Sequence, residues 1–194
     1  MSKVVDTVST EMETILERIA KPLSVYQLWE IADEYAKKGC HPPLDRDLDD
    51  WWEREDSGAN MASYLGHLAE AAGPGGAALQ RAILAVILCV RTARGWTPEE
   101  SRMCLDDLDR WVSGDRSVDM NDVHGRAIKA LGKERVFTPR GDAAHAVVWA
   151  IHAASTQYRK AGACSRSIEC AASAFSQDAF ANLIRAAIPV CPRT

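Results

Sequence analysis

The chain has 194 residues, 47% of them apolar and 26% charged, with a formal charge of −4. That mix belongs to a globular domain and excludes a disordered, collagen-like or disulfide-scaffold chain. The charge is uneven, −10 over residues 1–122 and +6 over residues 123–194, and the acidic part argues against a general nucleic-acid binder.

Val5, Val8, Met12, Ile15, Leu16 and Ile19 share one face and predict a helix over about residues 4–20, stopped before Pro22. Met1 to Thr14 carries Asp6, Glu11 and Glu13, so it reads as an amphipathic helix start rather than an export leader. The expectation is a cytoplasmic protein whose six cysteines are reduced thiols. Ser24 and Gln27 form a capping box for a second helix, which Lys37, Lys38 and Gly39 close. Cys40-His41-Pro42-Pro43 is a stiff joint, and a short helix follows over about residues 47–55.

A helix over about residues 60–72 is stopped by Gly73-Pro74-Gly75-Gly76. The next, about residues 77–94, is apolar nearly all round from Ala82 to Val90. It is expected to be the buried centre, with Ile83, Val86, Ile87 and Val90 inside. Nine residues are too few to span a bilayer. Thr97-Pro98-Glu99-Glu100 signals a helix start, with Thr as cap and Pro in the first turn, and that helix runs to Val112. Further helices are predicted over about residues 119–131, 142–160, 165–175 and 178–188, with a loop over residues 133–141. Arg135-Val136-Phe137 is the only strand candidate and is too short for a sheet. The fold class is all-α, a compact bundle of about eight to ten helices. Residues 1–60 are expected to pack as a helical segment on the main bundle of residues 61–194.

Asp45, Asp47 and Asp49, followed by Glu53 and Asp56, resemble the opening of a calcium loop, but Asp50 stands where the tight turn needs Gly. An acidic solvated face around a tryptophan pair fits these residues better. Trp51 and Trp52 diverge by about 100° on a helix, so one is expected inside and the other at the boundary. An aromatic anchor framed by Asp47, Asp50, Glu53 and Asp56 is interface material, and these six residues are the expected partner-binding set. His145 and His152 lie seven apart on one helix face, beyond the three or four residues typical of zinc helices, with His67 and His124 as further candidates. They read as core or boundary histidines bonded to neighbouring helices. Cys40-His41 places thiol and imidazole side by side, whereas catalytic pairs are assembled from separate segments. Gly73–Gly76 lacks the Lys-Ser/Thr of a phosphate loop. No catalytic residue, metal ligand or cofactor is assigned.

From residue 77 onward the order of features has a familiar look. An apolar helix precedes the acidic Leu105-Asp106-Asp107-Leu108-Asp109-Arg110-Trp111-Val112-Ser113-Gly114-Asp115. A shorter helix leads to the alanine-rich segment Ala143 to Ala154, and Leu183 to Pro189 closes the series. This order, over about residues 77–190, resembles the all-helical Imm-5-like immunity proteins and related alanine-rich helical proteins of bacteria and phages. The resemblance implies a cytoplasmic protein that neutralises a toxin by binding it.

The expected function is therefore a non-enzymatic binder that inhibits another protein. The partner would be a toxin, a nuclease or a defence complex, with no direct contact to nucleic acid or membrane. The alternatives are a metal-binding helical enzyme built on His145 and His152, or a structural assembly protein.

Overall fold

The structure, a computed structural model, describes residues 52–72, 77–155, 159–172 and 177–187. Among the described residues seven helices follow helical residues 52–54, and no strand forms. They are α1 (Gly58–Ala72), α2 (Ala77–Thr92), α3 (Glu99–Val112), α4 (Met120–Leu131), α5 (Pro139–Ala154), α6 (Lys160–Ala171) and α7 (Gln177–Ala187). The fold is all-α, as the periodicity predicts. The helices read over residues 4–20 and 24–39, the Cys40–Pro43 joint, the calcium-like Asp45–Asp49 and the Gly73–Gly76 breaker lie outside the described residues. α1 starts at Gly58, so the division drawn at residue 60 falls within its first turn.

α2 is the centre of the bundle and packs against α1, α3, α5, α6 and α7. Every residue from Ala82 to Val90 is buried, and Ile83, Val86, Ile87 and Val90 have no exposed surface. A helix without a polar face has to be surrounded, and each such side chain contributes roughly 1.5–3 kcal/mol on burial. Gln80 Nε2 donates to the Val112 carbonyl at 2.7 Å, tying the start of α2 to the end of α3.

α1 and α6 touch through their backbones. A Cβ built on Gly66 would lie 2.5 Å from both the Cα and the N of Ala161, so only glycine fits. At the same contact Glu70 of α1 accepts from the Ala161 N–H at 3.4 Å. That supplies a negative charge to an α6 N-terminus whose own N-cap, Arg159, makes no side-chain cap bond. Ser57 caps α1 by accepting from the Asn60 N–H at 3.3 Å. α5 presents Ala143, Ala144, Ala146, Ala150 and Ala153 to the interior, all buried, and these small side chains let its neighbours come close. Ser167 Oγ of α6 donates to the Ala146 carbonyl of α5 at 2.7 Å.

Three local readings are corrected. α5 begins at Pro139 rather than near Asp142, because Thr138 is extended, caps the Gly141 N–H at 3.1 Å and is followed by Pro in the first turn. It ends at Ala154 rather than Lys160, where extended Ser155 interrupts it, and α6 starts at Lys160 instead of Ser165. Thr97 does not cap α3; its hydroxyl turns back and donates to the Ala93 carbonyl at 3.0 Å, leaving Pro98 as N-cap. Cys89, Cys104 and Cys164 are buried free thiols, and Cys170 is partly exposed. Burial pushes the Cys89 thiol up and the Cys164 thiol up to about 12. No described helix is long and apolar enough to cross a membrane.

Candidate functional site

Of the six expected contact residues, Asp47, Asp50 and Trp51 lie outside the described residues. Trp52 is a core residue, 1% exposed and packed edge-on against Tyr64 with ring centroids 6.5 Å apart. It is thus turned into the core and is withdrawn from any contact surface. Arg185 of α7 fixes this turn, donating from Nε to the Trp52 carbonyl at 2.8 Å and from Nη2 to that of Glu55. Glu53 and Asp56 are exposed.

The histidines meet in a different pairing from the one the helix face suggests. His152 contacts His124 of α4, Nε2 to Nε2 at 2.9 Å, and stands edge-on to Trp149 with centroids 5.0 Å apart. His145 lies two turns away along α5, and His67 faces Glu70 on α1 at 3.9 Å. Among the described residues no group of three or more His, Cys, Asp or Glu converges on a metal position. Burial, and then the neighbouring His124, lower the pKa of His152 below its ordinary 6.5. The unfolded chain protonates this side chain near pH 6.5 and the folded chain only below that, so the unfolded state binds more protons in between. This contribution to stability is complete above pH 6.5 and is lost as pH falls toward the lowered folded value. Thermal midpoints of wild type and His152→Gln at about pH 7.5 and about pH 5.5 test this. The drop should be smaller in the variant, and equal drops would remove His152 as the cause.

The feature that sequence did not disclose is an exposed apolar set confined to one region. Among the described residues the large exposed hydrophobics are Trp96, Met103, Ile128, Val136 and Phe137, all on α3, α4 and the segments flanking them. Phe137 is 95% exposed, and its φ of 60° lies in the left-handed region that non-glycine residues avoid. The loop around it is held on both sides. Thr138 Oγ1 donates to the Arg135 carbonyl at 2.8 Å, and Glu134 takes Arg140 Nε on both oxygens at 2.9 and 3.0 Å. A Cβ on Gly141 would lie 2.1 Å from the Arg135 carbonyl oxygen, so the chain turns tightly onto the start of α5. These restraints convert the strand candidate into a turn that points an aromatic ring at solvent. Phe137→Gly should raise stability by about 1 kcal/mol in urea unfolding, because it relieves the backbone without unburying anything. A loss of stability would show that the ring packs on the chain.

Ion pairs fix the hairpin that carries this set. Arg126 joins Asp107 at 2.6 Å and Asp122 at 2.8 Å, and Lys133 joins Glu100 at 2.6 Å. Arg110 spans Asp107 and Asp115, and Arg91 of α2 reaches Asp106 at 3.1 Å and Asp109 at 3.0 Å. The acidic stretch of α3 is therefore largely neutralised from within, its carboxylates tying α3 to Arg91 of α2 and Arg126 of α4. Comparison with protein-family models, with curated proteins and with solved structures finds no match.

Proposed function

We propose that this chain is a non-enzymatic helical protein that docks on another protein and neutralises it. An immunity protein against a toxin and a phage protein blocking a host defence complex both have this character. The same reading has it act in the cytoplasm, without direct contact to nucleic acid or membrane. The observation that carries the proposal is Phe137. A fully exposed aromatic ring, presented by a strained and pinned turn, suits a hot-spot anchor whose ordering cost is already met in the free protein. The order of helical features from residue 77 onward supports the same reading.

A photoreactive phenylalanine analogue placed at residue 137, and in a second protein at Glu53, tests both faces inside the native host. The expected result is a heterologous protein captured at residue 137, with an activity that the wild-type chain suppresses and Phe137→Gly does not. Capture at residue 53 alone would move the contact to the acidic segment. Suppression by Phe137→Gly as strong as by wild type would refute the role of the ring.

A further inference from the structure

His124 and His152 join α4 to α5 through the same atom of each ring. Nε2 faces Nε2 at 2.9 Å, the ring centroids are 4.9 Å apart and the planes are tilted by 48°. Were both ring axes to lie along the line between the nitrogens, the centroids would stand farther apart than this, so the rings meet at an angle. A hydrogen bond prefers a straight approach. Two ligands of one ion instead meet at the angle that the ion dictates. Nitrogens each about 2.0–2.1 Å from an ion lie about 2.9 Å apart when the angle between them is about 90°, and about 3.3–3.4 Å apart at a tetrahedral angle. The observed separation is that of the right-angled pair. His152 is 8% exposed, and burial disfavours its charged form, which keeps the ring in the neutral state that a metal takes. His124 is partly exposed, so the pair has an open side toward water.

We propose that His124 and His152 chelate one divalent transition ion of tetragonal preference, copper(II) or nickel(II), with water in the remaining positions. The site is independent of the protein-binding reading and stands or falls without it. Imidazole nitrogen suits these ions, whereas calcium and magnesium take oxygen donors. The carboxylates nearest on the hairpin, Asp107 and Asp122, are both engaged by Arg126, which leaves the two imidazoles as the donor set. Tetrahedral zinc would require the nitrogens to move apart. For coordination each ring carries its hydrogen on Nδ1. The hydrogen that lies between the two Nε2 atoms passes through water to Nδ1 of its own ring, so the pair binds the ion with no net release of a proton. The bound ion fastens α4 to α5 one helical turn from Ile128, a member of the exposed apolar set.

The test titrates the full chain at neutral pH with nickel(II), copper(II), zinc(II) and magnesium(II) chlorides, each alone. Calorimetry should show nickel(II) and copper(II) binding, and the copper(II) electron paramagnetic resonance spectrum should carry couplings from two imidazole nitrogens. His124→Gln and His152→Gln should each weaken nickel(II) binding at least about tenfold, while His145→Gln and His67→Gln leave it unchanged. The imidazole nitrogen spectrum of the wild-type chain needs no substitution and serves should a variant fold poorly. In it the Nε2 signals of both rings should change together and saturate at one equivalent of nickel(II). Tighter binding of zinc(II) than of nickel(II) would overturn the tetragonal assignment. Four results would reduce the pair to two rings sharing a proton: loss of binding in one of the two variants only, persistence in both, metal bound while both Nε2 signals stay put, or no binding at millimolar metal.

Discussion

Gly66→Ala should cost about 3 kcal/mol or more of folding stability, although alanine is the better helix former by about 1 kcal/mol. The added methyl would meet the Cα and N of Ala161 at 2.5 Å and the carbonyl carbon of Lys160 at 2.6 Å. These are backbone atoms at the start of α6, and no rotamer change can move them away. Relief requires α1 and α6 to separate, which would also lengthen the Glu70 bond to the Ala161 N–H. Gly125→Ala is the matching control, since Gly125 sits in α4, is exposed, and has nothing within 4 Å of a built Cβ. It should stabilise by about 0.5–1 kcal/mol. Opposite shifts of the urea midpoint in the two variants, at similar slope, are the expected outcome. A neutral Gly66→Ala would mean that the two helices lie farther apart than described.

Trp52→Ala is expected to cost about 3–5 kcal/mol, the range for deleting a buried large aromatic side chain. Against a typical domain stability of about 5–15 kcal/mol this is enough to leave part of the population unfolded at physiological temperature. The loss combines the cavity, the edge-on contact with Tyr64, and a turn whose carbonyls Arg185 would then hold without the ring beneath them. Glu53→Ala, at an exposed neighbour, should stay within about 0.5 kcal/mol of wild type. Thermal unfolding distinguishes the two. A Trp52→Ala protein of normal stability that fails to bind its partner would return this residue to the contact surface.

Those two residues also show what sequence could and could not reveal. Helical geometry alone predicts that two adjacent tryptophans cannot share one core face, but that Trp52 turns inward depends on where Tyr64 and Arg185 stand. The centre of the bundle was legible because the run from Ala82 to Val90 has no polar side to present to water. The ends of α5 and α6 were not, since the alanines running from Ala143 past Ser155 give no periodic contrast to mark the break. His124 and His152 are 28 residues apart, and only the packing of α4 on α5 brings their Nε2 atoms together. Phe137 was hidden for a different reason. A positive φ announces itself in sequence through Gly or Asn, and here a phenylalanine is forced into it by Thr138, Pro139 and the close approach at Gly141.

The buried thiols carry a kinetic consequence. Cys89, Cys104 and Cys164 sit in α2, α3 and α6, and in the closed protein burial both shields each sulfur and disfavours the thiolate that reacts. Modification at any of them therefore waits for its helix to lift from the bundle. A single alkylating reagent thus times three separate openings, each reported by a native residue in its own helix. The order in which the three sulfurs are consumed is the order in which the bundle comes apart.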